Sequence, residues 1–240
     1  GCALGGKTTN LVTLHRLTDP EGARGLVSIA TKDDRTLFFD LLPMDLGLVG
    51  GFTIRAKAYT VPGQPQYELT RRQVLSGADA VVLVVDSSPE ARQPNGWTAE
   101  NLRANLTSFG IKPDEFPTIV QWNKRDLPEA VSVEELEIAF NPRKLPSFEA
   151  VATSGAGVVE TFAAALKGAL LKAYGKAGRN ALTPEVLEKT IAAALRPAQS
   201  RAAPPPKPAM QFEHRVDTKV YQAAFGGQGI DRKTLDQSTL

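Results

Sequence analysis

Three short stretches hold residues whose types and spacing suit nucleotide chemistry. Gly1-Cys2-Ala3-Leu4-Gly5-Gly6-Lys7-Thr8 fits G-x-x-x-x-G-K-[ST]. In such a loop backbone N–H groups converge on phosphate oxygens, and the following helix adds its positive end. Gly1, Leu4, Gly5, Gly6 and Thr9 would line the phosphates, and Lys7 would neutralise the β/γ charge. Thr8 would present a hydroxyl to Mg²⁺, an ion that keeps its waters and takes few protein ligands. The loop alone does not distinguish ATP from GTP. Asn123-Lys124-Arg125-Asp126 does. The two carboxylate oxygens of Asp126 can accept from the ring N–H and 2-amino group of guanine, whereas adenine offers an acceptor at that ring nitrogen and no 2-amino group. Lys124 would cover the base with its stem and Asn123 would tie the loops together. Taken as a lone tetrapeptide, the same residues read as a polar strand end.

The third stretch is Thr60-Val61-Pro62-Gly63-Gln64, between a strand pattern and a helix pattern. There the Gly63 N–H can reach a terminal phosphate and Gln64 can orient water. Val151-Ala152-Thr153 follows the last strand pattern, where a backbone N–H, Ala152 first among them, could meet the guanine carbonyl beside Thr153. Arg35-Thr36 lies in a polar stretch before TLFFD. Arg35 could act on transition-state charge, an effect of about 10³–10⁵ in rate for arginine fingers. The blander alternative is pairing with Asp33 or Asp34 on a solvated loop.

The elements that must carry these residues alternate in type, which predicts an α/β fold with a parallel sheet. Residues 80–86 and 118–122 are short, β-branched and apolar, as buried strands are. Residues 36–42 and 52–61 alternate more, and 149–153 makes a last short strand. Helices are expected at 6–17, 66–77, 98–109, 132–140 and 157–174. In the last of these, Val158, Phe162, Leu166, Leu170 and Ala173 form an apolar stripe. The phosphate loop of such a fold follows a central strand, so the chain reads as a fragment without its first strand.

Composition is that of a soluble globular protein, and no apolar run approaches the roughly 18 residues of a membrane span. A single cysteine excludes an internal disulfide framework and fits a reducing cytosol. Residues 176–240 carry 10 Lys/Arg against 6 Asp/Glu, an excess too scattered to argue for nucleic acid. The chain divides into a nucleotide-binding domain at 1–175, a linker and short helix at 176–196, and a Pro-rich tail at 197–240. Thr183 and Pro184 start that helix as N-cap and N1, and Pro204, Pro205 and Pro206 make the tail an extended spacer, mostly disordered.

Taken together, these motifs resemble the MglA family of bacterial Ras-like small GTPases, which set cell polarity and drive gliding motility. The resemblance runs from Gly1 to about Tyr174, through GKTTN at 6–10, DRTLFFDLLP at 34–43, YTVPGQ at 59–64 and QWNKRDLP at 121–128. It implies a Ras-like P-loop fold, with a mostly parallel sheet flanked by helices. It also implies a GTP-hydrolysing switch using Mg²⁺, with Arg35 and Gln64 catalytic and Thr8 and Thr36 on the metal side. Thr60 stands where Ras-like proteins generally have Asp, and the family shares that threonine. Asp40 matches the family's acidic residue in the FFD strand, where a structural role is an equal alternative. Ala3 replaces a glycine common in Ras-like proteins close to the catalytic glutamine. The implied partners are a roadblock/LC7-type activator similar to MglB and polarity or motility effectors. The implied location is the cytoplasm, with recruitment to cell poles or the inner membrane face through partners. A different class remains open: a GTP-binding interaction module with negligible hydrolysis. An ATP-using P-loop kinase conflicts with Asp126.

Overall fold

The computed structural model describes residues 1–19, 25–29, 39–49, 52–176 and 184–195, all within the unit Gly1–Pro204. Arg35, Thr36 and the segment from 196 onward lie outside the described residues.

Helix α1 (Lys7–Thr18) starts directly after the phosphate loop. Strand β1 (Val27–Ile29) pairs antiparallel with β2 (Phe39–Val49), which pairs antiparallel with β3 (Phe52–Tyr59). The alternation pattern places the second strand at 36–42, yet β2 runs on through Pro43 to Val49. Pro43 is tolerated because β1 pairs only as far as Leu41, so the missing N–H is not needed by a third strand. Further along, a bulge between Asp45 and Gly47 absorbs the glycine, whose φ is 72° and whose N–H reaches the Asp45 carboxylate at 2.9 Å.

After a 3₁₀ turn at Pro65–Tyr67 come α2 (Glu68–Ser76), β4 (Val81–Asp86) and α3 (Arg92–Ser108), followed by β5 (Thr118–Asn123), α4 (Val133–Phe140), β6 (Ser147–Glu149) and α5 (Val158–Lys176). Helix α3 begins six residues before its expected start at 98. Pro94 and Gly96 weaken the helical signal there, but a proline in the first turn forfeits no intrahelical hydrogen bond. The last strand ends at Glu149, not Thr153; Val151 makes only an isolated bridge to Ala156, and residues 152–153 turn.

Strands β4, β5 and β6 form a parallel sheet. Its register sets Asp86 beside Asn123, and Trp122 beside Glu149, so the chain leaves all three strands at the same edge. Open parallel sheets gather their ligand loops at that carboxyl edge. All six residues of β5 are buried, as the unbroken apolar run predicts. Its neighbouring side chains face opposite layers: Gln121 points to Asn10 of α1 and Thr161 of α5, while Trp122 packs with Leu83, Val85 and Leu136.

A larger apolar cluster joins Leu42, Met44 and Leu46 of β2 to Leu11 and Leu14 of α1 and to Val158, Leu166, Leu170 and Tyr174 of α5. The four-residue spacing of the α5 stripe continues to Tyr174, leaving the expected Ala173 exposed. Helix α6 (Pro184–Leu195) completes this cluster. Leu187, Ile191 and Leu195 recur on one face and are at most 5% exposed against β2 and α5. No helix among the described residues is long and apolar enough to cross a membrane.

Candidate nucleotide-binding site

The phosphate loop needs backbone conformations that most residues avoid. Gly6 has φ 93°, and a Cβ there would collide with the Asn123 amide. Leu4 adopts a left-handed φ of 57° without being glycine, the kind of local strain that clusters at ligand sites. Its side chain is 92% exposed at the mouth of the cleft. The loop is held from behind. Asn10 donates to the Gly6 carbonyl at 3.0 Å and accepts from Gln121 at 2.9 Å. Gly1 packs on Val84 of β4, and Gly63, just beyond β3, abuts the backbone of Cys2 and Ala3 so closely that no Cβ would fit. The three sequence stretches therefore meet around one loop.

Lys7 Nζ donates to the Cys2 carbonyl at 2.5 Å. Burial holds its ammonium below the ordinary lysine range; Cys2 opposes the shift and the Arg71 charge adds to it. A partly desolvated cation at a helix N-terminus is best satisfied by an anion.

Asn123 bridges the loops as its type and place suggest. Its Nδ2 donates to the Gly5 carbonyl at 2.9 Å, and its Oδ1 accepts from the Ala152 N–H at 3.0 Å. The Ala152 amide, read from the sequence as facing a guanine carbonyl, donates to Asn123 in this structure. Lys124 has φ 65° and its Nζ pairs with Asp86 at 2.5 Å. Asp86 in turn accepts from the N–H and hydroxyl of Ser88, at 3.0 and 2.9 Å. Arg125 turns away to Glu149 and the Val131 carbonyl. Asp126 is exposed and has no hydrogen bond or ion pair among the described residues. It lines a cleft of about 180 Å³ with Leu4, Gly6, Thr9, Asn123, Lys124, Leu127, Ala152 and Thr153.

Beside Thr8 stands a carboxylate that the sequence left with two roles. Asp40 Oδ2 accepts from the Thr8 hydroxyl at 2.8 Å and from the Thr60 hydroxyl at 2.9 Å. Thr60 is locked there because its N–H donates to the Asp40 carbonyl and its Oγ1 accepts from the Asp40 N–H, both at 2.9 Å. Among the described residues no group of three or more His, Cys, Asp or Glu side chains gathers to hold a metal. A hydroxyl with one acid behind it suits Mg²⁺, which keeps most of its waters, better than a metal needing a full protein cage.

Gln64 is exposed, in extended backbone just before the 3₁₀ turn. Asp86, Asn10 and Arg71 were not among the candidates from sequence. An acid ending the apolar run of β4 was the one signal for Asp86, and nothing local marked the other two.

No family model matches the chain. It is 47% identical over 167 residues to the mutual gliding-motility protein MglA of Myxococcus xanthus (strain DK1622), a match taking in 70% of this chain and 86% of the relative.

Proposed function

The chain belongs to the MglA family of bacterial Ras-like small GTPases, and on that premise we propose that it is a GTP-hydrolysing switch controlling gliding motility or cell polarity. The observation that carries this reading is the Asn123 bridge, which joins the phosphate loop to the 150–153 loop and leaves the Asp126 carboxylate open at the cleft.

The phosphates lie along the N–H groups from Gly1 to Thr9 with Lys7 against the β/γ oxygens, and the base stacks on the Lys124 stem, which Asp86 holds. Guanine is selected by Asp126. Mg²⁺, when bound, neutralises phosphate charge, and Thr8 and Thr36 are its protein hydroxyls. Asp40 supplies the acidic partner that Thr60 cannot. Gln64 orients the attacking water, the Gly63 N–H senses the terminal phosphate, and Arg35 stabilises transition-state charge. Loss of that phosphate releases the segments around 31–40 and 60–72 and so changes the surface offered to partners. A roadblock-type activator over these segments and motility effectors fit that surface.

The proposal is tested by single-turnover GTP hydrolysis with and without a roadblock activator. Cleavage in either condition is expected; its absence in both leaves a GTP-binding interaction module. The role of Asp40 has its own test. Asp40→Asn keeps an acceptor for Thr60 but removes the charge, and is expected to weaken the Mg²⁺-dependent part of GDP affinity about tenfold. Nucleotide off-rates with Mg²⁺ and with a chelator measure it. An unchanged ratio between the two rates assigns Asp40 to structure alone.

A further inference from the structure

Arg71 of α2 belongs to none of the nucleotide motifs, yet its side chain is one of the most completely bonded groups in the described fold. It is only 6% exposed. Nε donates to Asn101 Oδ1 at 3.2 Å. One terminal nitrogen donates to the carbonyls of Pro62, at 3.1 Å, and Gln64. The other donates to the carbonyl of Pro65 at 3.3 Å and to Glu68 Oε2 at 2.6 Å. All five N–H groups of the guanidinium are thereby used. Its plane also lies over Trp97, 4.9 Å from the ring centroid.

Three of these five bonds go to main-chain carbonyls of one four-residue loop, the loop that carries Gly63 and Gln64. Pro62 and Pro65 have no N–H, so the loop cannot hold itself by a regular ladder. The fork of an arginine can collect several carbonyls at fixed angles, whereas a lysine ammonium is a point charge with three donors. The fork is anchored on the far side by α3. Asn101 Nδ2 donates to Glu68 Oε2 at 2.8 Å and Asn105 Nδ2 donates to Asn101 Oδ1 at 3.2 Å. Burial pushes the Glu68 carboxyl up, but the bonds from Arg71, Asn105 and Asn101 outweigh it and hold Glu68 below the usual carboxylate range. Burying a guanidinium is costly unless it is fully paired, and here the pairing is directed at the loop beside the phosphate loop.

We propose that Arg71 is a positioning residue for GTP hydrolysis, fixing the main chain of residues 62–65 on the α3 platform so that Gln64 is held in register with the phosphate loop. This rests on the hydrolytic role of Gln64 proposed above. Arg71 acts through Gln64 and does not touch the nucleotide.

The test is activator-stimulated single-turnover hydrolysis of GTP by the full chain carrying Arg71→Lys, Arg71→Gln, Gln64→Ala, and Gln64→Ala with Arg71→Lys. Affinity for a non-hydrolysable GTP analogue and the thermal midpoint are followed alongside. Arg71→Lys is expected to slow turnover about tenfold and Arg71→Gln about 10²-fold, the scale of misplacing a catalytic group by an ångström, with analogue affinity kept within about threefold. In the Gln64→Ala background Arg71→Lys is expected to cost nothing further, a signature that a general loss of stability does not produce. Where the Arg71 variants fail to fold, Asn101→Ala leaves the guanidinium in place and is expected to slow turnover about threefold, again only when Gln64 is present. Arg71→Lys turning over at the wild-type rate, or slowing both backgrounds equally, overturns the proposal while the role of Gln64 stands. Wild-type turnover by Gln64→Ala overturns both.

Discussion

Asp126→Asn is expected to lower GTP affinity by about 10²–10⁴-fold and to favour xanthosine triphosphate instead. The carboxylate offers two acceptors to two guanine donors, and hydrogen bonds to a charged group are worth about 1.5–3 kcal/mol each. An amide replaces one acceptor with a donor, which then faces the guanine 2-amino group or ring N–H with nothing to accept its proton. Xanthine has a carbonyl where guanine has the 2-amino group, so the new donor finds a partner there. The substitution should fold normally, because Asp126 is exposed and holds no other described residue. Competition of GTP, ATP and xanthosine triphosphate against a fluorescent guanine nucleotide measures the change. Retention of GTP preference within about threefold would remove Asp126 from base selection, since even one lost charged hydrogen bond exceeds that.

Gln64→Ala is expected to reduce activator-stimulated hydrolysis by about 10²–10⁴-fold, the range for a group that positions or exchanges a proton with the attacking water. Nucleotide affinity should stay within about twofold, since an interaction made only in the transition state leaves ground-state binding intact. The side chain is exposed, and it is the main-chain carbonyl of Gln64 that Arg71 holds. The loop should therefore keep its course without the amide. Single-turnover release of phosphate, beside equilibrium binding of a non-hydrolysable analogue, separates the two quantities. A matched fall in affinity and rate would mean that Gln64 is a binding residue. Unchanged turnover would remove the glutamine from the mechanism.

The two predictions rest on motifs of different legibility. Around Asp126 the chemistry is local, because four adjacent residues leave a buried strand together and their side chains must fan around its end. The phosphate loop is local in the same sense. Its glycines, Gly6 above all, state a backbone path that few other residues could follow. The buried strands β4 and β5 and the stripe on α5 were legible too, since burial on both faces or on one face leaves a period in the sequence. Boundaries were legible only where nothing overrode them. Pro43 stays within β2 because its missing N–H falls beyond the pairing with β1, and Pro94 stays within α3 because it falls in the first turn.

The chain's composition and motifs alone point to an α/β protein with a phosphate loop and to a tetrapeptide at 123–126 suited to selecting guanine, because each depends on neighbouring residues and short-range sterics. Tertiary structure decided which acid stands behind Thr8, a choice between residues 32 positions apart that turns on the register of β2 against β3. It decided that Asn123 accepts from the Ala152 amide, that the short helix expected after the linker buries Leu187 and Ile191 in the main core, and that Arg71 holds the loop of Gln64. A side chain's polar partner is set by which distant backbone arrives within about 3 Å, and a slip of one residue in a strand would send that partner to the opposite face.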